Sequence, residues 1–193
     1  ERLKDFEEWE SIEGGGVAGG GELLFAGVVV SSQEEYAAPS TRTALVHIVG
    51  IKPGNLFLSE GGIVKLGDFG LCSQLEHSYS LRTTVCGTTM YMAPETYRGE
   101  SCLKSDVWAL GISVIEMAEG KHPFQGSSPF EVVNDWQYDV KIMKHVIFAT
   151  PPSLSSSEWS SDLVDFVNRC LVRDVKERAS VDELLQVSLF NAI

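Results

Sequence analysis

The sequence predicts an α+β fold in which a short, glycine-rich β segment precedes a mainly helical body. Hydrophobic residues make up 44% of the 193 residues, which is enough for the core of one globular domain. Runs with strand-like spacing lie before residue 67, and the long runs after it have helical spacing. We therefore divide the chain into a strand segment at 1–30, a polar linker at 31–44 and a mainly helical body at 45–193.

The strand segment contains a cluster of glycines at residues 14–21, between two short and partly β-branched runs. This arrangement predicts two or three strands around a flexible turn. Gly14, Gly16 and Gly19 also satisfy the pattern G-x-G-x-x-G, in which glycines allow a backbone loop to cover phosphate groups. A flexible linker explains the same run nearly as well, because glycine-rich chains behave as flexible coils.

The body begins with a predicted β-hairpin, since strand-like runs at residues 55–58 and 63–66 flank Gly61-Gly62. Three amphipathic segments later in the chain predict helices, with serine N-caps for the second and third. These segments are Pro129–His145, Ser160–Leu171 and Ser180–Leu189, and the N-caps are Ser160 and Ser180.

The most apolar segment lies between Ser105 and Glu119, where apolar residues cover most of a helical wheel. Such a helix belongs in the middle of a helical core rather than on its surface. Ser105 or Asp106 is the predicted N-cap, and Gly120 is predicted to end the helix.

Acidic residues outnumber basic ones 27 to 15, which gives a formal net charge of −12. Phosphate backbones and anionic membrane surfaces repel such a chain, so we expect neither nucleic acid nor membrane as a partner. No apolar run approaches the ~20 residues that cross a bilayer, and the acidic start lacks a signal-peptide pattern. The four cysteines form no C-x-x-C pair, which favours free thiols in a reducing compartment. We expect a cytoplasmic protein.

Five short motifs follow one another along the body. They are Ile51–Asn55, Asp68–Gly70, Ala93–Glu95, Asp106–Trp108 and Arg178. One tripeptide recurs by chance, but five pieces in this order, with a hairpin between the first two, are specific. In these motifs the chain resembles the C-terminal lobe of the protein kinases.

The resemblance implies a site for ATP and Mg²⁺. In protein kinases the two magnesium ions are held by the catalytic-loop asparagine and by the aspartate of Asp-Phe-Gly, which correspond to Asn55 and Asp68 here. Lys52 matches the Ser/Thr-specific form of the catalytic loop, in which the lysine contacts the phosphate during transfer. The glycine pattern in the strand segment would cover the phosphates.

The segment between Asp-Phe-Gly and Ala-Pro-Glu corresponds to the activation segment of the kinases. A phosphothreonine there adds charge that can order the segment against basic side chains. Thr84 is the best-placed regulatory candidate, followed by Thr83 and Thr88. A hydroxyl in a loop is equally often only a solvated hydroxyl.

The resemblance also assigns structural roles. Glu95 and Arg178 correspond to a buried ion pair that ties the activation segment to the late helices, and Asp106 to the residue that holds the catalytic-loop backbone. Residues 111–120 and 165–174 resemble those of the sterile-twenty and MAP-kinase-kinase types. These are Ser/Thr kinases, so the implied partners are a protein substrate or a member of a MAP kinase cascade.

The chain departs from the kinase pattern at the catalytic base. The family reads His-Arg-Asp before Ile-Lys-Pro, and its aspartate accepts the proton of the substrate hydroxyl. Here the triplet is Ile48-Val49-Gly50, so Gly50 occupies the base position without a side chain. Loss of a general base lowers a rate by ~10²–10⁴-fold, although another carboxylate could substitute.

The part of the chain before the catalytic loop is also short for a kinase. No lysine lies between Lys4 and Lys52, so the lysine that pairs with the nucleotide phosphates is missing, and Ser31 or Ser32 falls near its place. There is no room for the helix that normally precedes the catalytic loop. We therefore expect part of the apolar helix to be uncovered, which invites association or aggregation.

Two functions follow from this sequence. The first is a Ser/Thr protein kinase homologue, which transfers the γ-phosphoryl group of ATP to protein hydroxyls in the intact family and has lost this activity here. The alternative is a noncatalytic, pseudokinase-like scaffold, or a truncated kinase product, that binds a signalling partner. Gly50 favours the noncatalytic alternative, because it provides no carboxylate at the position of the catalytic base.

Overall fold

The computed structural model describes residues 45–48, 50–58, 64–68, 73–75, 88–125 and 135–187. In chain order the strands are β1 (Leu45–His47), β2 (Leu56–Leu58), β3 (Val64–Leu66) and β4 (Ser73–Leu75). The helices are α1 (Leu103–Glu119), α2 (Asp135–Phe148), α3 (Ser161–Cys170) and α4 (Val181–Leu184). Short 3₁₀ turns lie at Pro53–Asn55, Thr89–Tyr91 and Thr96–Arg98. The predicted α+β class is confirmed in these residues.

The strands form two antiparallel pairs. The predicted hairpin is confirmed, because Leu56 pairs with Leu66 and Leu58 with Val64. The second pair joins β1 to β4, with Leu45 opposite Leu75. The sequence did not predict this pair, since three-residue strands carry little periodicity and their partners lie far apart along the chain. The Gly67 N–H donates to the Asn55 carbonyl at 2.8 Å, so the first residues after β3 lie beside the turn that precedes β2.

Helix α1 starts earlier than predicted. Its N-cap is Cys102, and the predicted cap Ser105 occupies the third helical position. There the Ser105 hydroxyl accepts a hydrogen bond from the Cys102 backbone N–H at 3.0 Å, so a reciprocal capping box forms around a residue of low capping preference. Asp106 also lies inside the first turn. The predicted end is confirmed, because Gly120 adopts the left-handed conformation with φ of 65°.

The middle of α1 is buried, whereas Ala109, Met117 and Ala118 are only partly buried, so the expectation that part of this helix is uncovered stays a prediction. Trp108, Ile112 and Val114 are fully buried, and α3 packs along the helix. The two helices approach so closely that a Cβ on Gly111 would lie 2.7 Å from the Cβ of Cys170. Glycine at this position therefore allows the contact between α1 and α3.

The remaining helices follow the predicted segments with different ends. α2 extends three residues beyond His145. Ser160 is the N-cap of α3, as predicted, and its hydroxyl accepts the Leu163 N–H at 3.2 Å. Ser180 caps α4 as predicted, but α4 ends at Leu184, short of the expected Leu189.

The strand segment at 1–30 and the linker at 31–44 lie outside the described residues, so the proposed domain boundaries stay predictions. Cys102 and Cys170 are free and buried. No helix in the part of the chain that the structure describes combines the length and apolar character needed to cross a bilayer.

Candidate active site

The centre of the site is the loop that joins β1 to β2. Pro53 starts a 3₁₀ turn, for which its fixed φ is suited, and the Asn55 N–H closes the turn on the Lys52 carbonyl at 3.0 Å. The Asn55 carbonyl accepts the Gly67 N–H at 2.8 Å, one residue before Asp68. The hairpin register therefore brings the two predicted magnesium ligands, Asn55 and Asp68, to the same end of the β2–β3 pair.

Asn55 and Asp68 differ in exposure. Asn55 is buried, and its Nδ2 donates to the Gly50 carbonyl at 2.8 Å. This bond fixes the carboxamide so that its oxygen is left as an acceptor. Asp68 is exposed and has a φ of 59°, a left-handed conformation that aspartate tolerates better than most residues. One amide oxygen and one carboxylate are oxygen donors of the kind that Mg²⁺ prefers.

Gly50 lies between these two residues. A Cβ at this position would be 3.4 Å from Asn55 Nδ2 and 3.4 Å from the Asp68 backbone carbonyl. Both values are ordinary van der Waals contacts, and the Gly50 backbone is not left-handed. The loop therefore has space for a Cβ at position 50 and a backbone conformation that residues with side chains adopt, and the sequence provides no side chain there.

Asp106 holds the start of the same loop. Its Oδ2 accepts the Ile48 N–H at 2.8 Å in a buried contact between residues 58 positions apart. Because Asp106 lies in the first turn of the buried helix α1, the loop between β1 and β2 is attached to the core of the helical body.

Lys52 connects the loop between β1 and β2 to Thr88. Its Nζ lies 3.2 Å from the Thr88 hydroxyl, and Thr88 is exposed. Of the three predicted regulatory threonines, Thr88 is thus placed beside the catalytic loop, whereas Thr83 and Thr84 lie outside the described residues. The predicted phosphate-covering glycines Gly14, Gly16 and Gly19 also lie outside them.

Two tyrosines that sequence reasoning missed hold the segment after Thr88. The Tyr97 hydroxyl donates to the Thr89 carbonyl at 2.6 Å, and the Tyr91 hydroxyl donates to Glu116 on α1 at 2.6 Å. Burial raises the pKa of both tyrosines, and the Glu116 carboxylate raises that of Tyr91 further. Burial also raises the pKa of Glu116. Both hydroxyls therefore stay protonated and act as donors.

Glu95 and Arg178 form a buried bidentate ion pair, with Nη1–Oε1 at 2.6 Å and Nη2–Oε2 at 2.9 Å. Their side chains are 2% and 0% exposed. The Ser105 hydroxyl donates to the same carboxylate, and the Arg178 guanidinium also donates to the Lys104 and Val172 carbonyls. The charges of Glu95 and Arg178 are therefore both compensated by neighbouring groups. These contacts also bind the 95–98 turn to the start of α1 and to the loop before α4.

His122 is also buried, and the sequence analysis did not single it out. Its ring packs edge-on against Tyr91 at 5.0 Å and in a tilted arrangement against Phe124 at 5.4 Å, and its Nδ1 accepts the Phe124 N–H. Burial lowers the pKa of His122 to about 4, so the ring is neutral at physiological pH. No composition or spacing signal distinguishes this histidine from the other three.

The fold and the site define a class of protein: a helical lobe in which Asn55 and Asp68 lie at one end of a hairpin and a buried Glu95–Arg178 ion pair ties the 95–98 turn to the helices. A family model for the protein kinase domain matches residues 43–190, more than half of the chain. The chain therefore belongs to the protein kinase family.

Proposed function

We propose that this chain is a Ser/Thr-type kinase homologue that retains the magnesium ligands of the site and lacks phosphotransfer because position 50 carries no base. The observation that supports this most directly is Gly50, which lies in contact with Asn55 and next to Asp68 but has no group that accepts a proton. General-base catalysis requires an acceptor within hydrogen-bond reach of the substrate hydroxyl. The alternative is that a carboxylate from another part of the chain accepts this proton. Phosphoryl transfer by the unaltered chain tests this alternative.

The cofactor part of the proposal rests on Asn55 and Asp68. The bond from Asn55 Nδ2 to Gly50 leaves the amide oxygen for a cation, and the exposed Asp68 supplies a negative charge beside it. Magnesium bound here would carry the phosphates of ATP, whose charge it offsets. Lys52, on the same loop, would contact a phosphate of the nucleotide in exchange for its bond to Thr88.

The Ser/Thr type, the similarity to sterile-twenty and MAP-kinase-kinase enzymes, the cytoplasmic location and a cascade protein as partner belong to the same proposal. Lys52 in the catalytic loop supports the Ser/Thr type, and residues 111–120 and 165–174 support the similarity to the two kinase groups and with it a cascade partner. The cytoplasmic location is supported by the four cysteines, which form no C-x-x-C pair and favour free thiols in a reducing compartment. A noncatalytic scaffold that binds a signalling partner is the second candidate. The intact Glu95–Arg178 pair favours it, because this pair supports the fold independently of any nucleotide.

A thermal melt separates the two candidates. Ligand at ~100 times its Kd stabilises the folded state by about 2.7 kcal/mol, which raises the Tm of a domain of this size by several degrees. We expect Mg²⁺ with ATP to raise the Tm, and we expect Asp68→Asn to abolish the rise. Glu158→Gln is the control, since it also removes one exposed carboxylate but lies outside the five motifs of the site. A cooperative transition that does not move with Mg²⁺ and ATP would contradict nucleotide binding and leave the scaffold.

A further inference from the structure

We propose that Thr150 is the acceptor of a proline-directed Ser/Thr kinase, an enzyme that requires proline directly after the residue it modifies, and that a phosphate there weakens the last turn of α2. Thr150 lies two residues after the end of α2 and is exposed. Pro151 and Pro152 follow it. Within the residues that the structure describes, the Thr150 hydroxyl makes no hydrogen bond, so an enzyme displaces no contact to reach it.

The prolines determine how Thr150 is presented. A proline ring excludes the preceding residue from the helical region, which ends α2 before Thr150 and favours an extended backbone there. Pro151 also has no backbone N–H, so an enzyme that accepts it needs an apolar pocket at that position. Among the described serines and threonines, Thr150 is the one that directly precedes a proline. These features distinguish it from an ordinary hydroxyl in a loop.

The loop that carries Thr150 is anchored at both ends. On one side the Val146 side chain is 1% exposed, and the Val146 carbonyl accepts the Arg173 Nε at 3.0 Å. On the other side Leu154 is 4% exposed. Between these anchors Thr150 and Ser153 are exposed. The core therefore holds both ends of the loop while the acceptor hydroxyl stays at the surface.

The charges along this part of the chain are also compatible with a phosphate. A net charge of −12 disfavours a further negative charge over much of the surface. Residues 140–157, however, contain no aspartate or glutamate, and they include Lys141 and Lys144. Thr150 lies in the middle of this stretch. The exposed serines at 155–157 share it, but no proline follows them.

The end of α2 is the element that a phosphate on Thr150 would affect. The last carbonyl groups of a helix form the negative end of its dipole, so a phosphate placed just beyond them is repelled. The last turn of α2 is held by the buried Val146 and by the bond from Arg173, whereas Phe148 on the same turn is 78% exposed and adds little burial. We therefore expect this turn to open more often after modification.

The chemical step is a phosphoryl transfer catalysed by a separate kinase with ATP. The bond between Thr150 Oγ and the γ-phosphorus forms, and the bond from that phosphorus to the β,γ-bridging oxygen breaks. ADP leaves, and the hydroxyl proton passes to the base of the modifying kinase. Asn55 and Asp68 of this chain take no part, so the proposal is independent of the proposed function.

The first test treats the whole folded chain with an activated MAP kinase, Mg²⁺ and ATP, and locates the phosphate by peptide mass spectrometry. A synthetic peptide of residues 145–155 is the reference for an unfolded acceptor. We expect Thr150 to be modified in the folded chain at a rate comparable to that in the peptide. Pro151→Ala should lower the rate by ~10-fold or more, because the ring no longer fills the apolar pocket of the enzyme. Pro152→Ala keeps the proline after the acceptor and is the matched control.

Three outcomes of this test would overturn the proposal. They are modification of the peptide without modification of the folded chain, phosphate on the exposed serines instead of Thr150, and equal rates for Pro151→Ala and Pro152→Ala. Thr150→Ser should still accept phosphate and Thr150→Val should not, which identifies the acceptor without relying on the prolines.

The second test measures amide hydrogen exchange in the modified and unmodified whole chain at low ionic strength. A charge at the end of a helix changes its stability enough to make the amides of residues 146–149 exchange about 2–5-fold faster after modification. Salt at about 1 M should reduce this difference, and the amides in the middle of α1 should not change. Equal exchange at the end of α2 in the two proteins would overturn the proposed effect on this turn.

Discussion

Removing one partner of the Glu95–Arg178 pair is the perturbation whose effect the structure determines best. Arg178→Met keeps a long side chain but leaves the Glu95 carboxylate, 2% exposed, with only the Ser105 hydroxyl. It also frees the Lys104 and Val172 carbonyls and removes the guanidinium that lies 5.2 Å from the Trp108 ring centroid.

The expected loss follows from this burial. Breaking a buried pair by removal of one partner costs about 3–5 kcal/mol, because an uncompensated charge remains inside. For a domain of this size each kcal/mol corresponds to roughly 2–4 °C in Tm, so Arg178→Met should lower the Tm by roughly 6–20 °C. Glu95→Gln should also destabilise the fold, and the double variant should lose less than the sum of the two single losses, by about 0.5–3 kcal/mol.

The chain offers a matched control in Arg169→Met. Arg169 and Asp165 form an exposed ion pair at 2.7 Å, with side chains 52% and 48% exposed, on one helix. Such a pair contributes about 0.3–0.5 kcal/mol, so this variant should move the Tm by no more than roughly 2 °C. The assay is thermal unfolding followed by circular dichroism on all variants in one buffer. Equal Tm losses for Arg178→Met and Arg169→Met would refute the assignment of the buried pair as the main tie between the activation segment and the helices.

Two further predictions concern packing and pH. Gly111→Ala should lower the Tm by a few degrees, because a Cβ there lies 2.7 Å from Cys170 and 2.9 Å from Leu171 and overpacking of ~1–3 kcal/mol exceeds the ~1 kcal/mol of added helix propensity. Gly54→Ala is its control, and an equal effect of the two would contradict the close contact of α1 with α3. Because the pKa of His122 falls from 6.5 to about 4 on folding, the unfolded chain binds more protons between these values. The stability contributed by neutral His122 is present above pH 6.5 and is lost as the pH falls towards 4, by up to ~3 kcal/mol. His122→Asn, whose Oδ1 can still accept the Phe124 N–H, should flatten the denaturant-unfolding free energy over this range; an unchanged slope would exclude His122 as its source.

Local signals predicted much of the fold. The hairpin at β2–β3, the serine caps of α3 and α4 and the glycine end of α1 all follow from residues that act within one turn of the chain. The start of α1 was missed because Cys102 is not a preferred N-cap residue. Its backbone N–H donates to the Ser105 hydroxyl, and this tie to the third helical position fixes Cys102 as the cap. The close approach of α1 to α3 was not predicted, because it depends on Gly111, whose effect appears only when both helices are in place.

In the candidate site, too, features that depend on neighbouring residues were predicted, and tertiary contacts were not. Asn55 and Asp68 were predicted together because a hairpin of suitable length lies between them, and the register places them at one end of it. The contacts of Lys52 with Thr88, of Tyr97 with Thr89 and of Tyr91 with Glu116 were not predicted. Each depends on how the activation segment lies against the catalytic loop or α1, and no periodic pattern encodes such a tertiary contact.

The central claim is that the absence of a base at position 50 is what prevents phosphotransfer, and Gly50→Asp tests it most directly. The measurement is transfer of the γ-phosphoryl group of ATP to a Ser/Thr protein substrate in the presence of Mg²⁺. The account predicts that Gly50→Asp transfers ~10²–10⁴-fold faster than the unaltered chain and that Gly50→Asn, which has the same shape without a proton acceptor, does not. Transfer by the unaltered chain at the rate of Gly50→Asp, or equal inactivity of all three proteins, would contradict it.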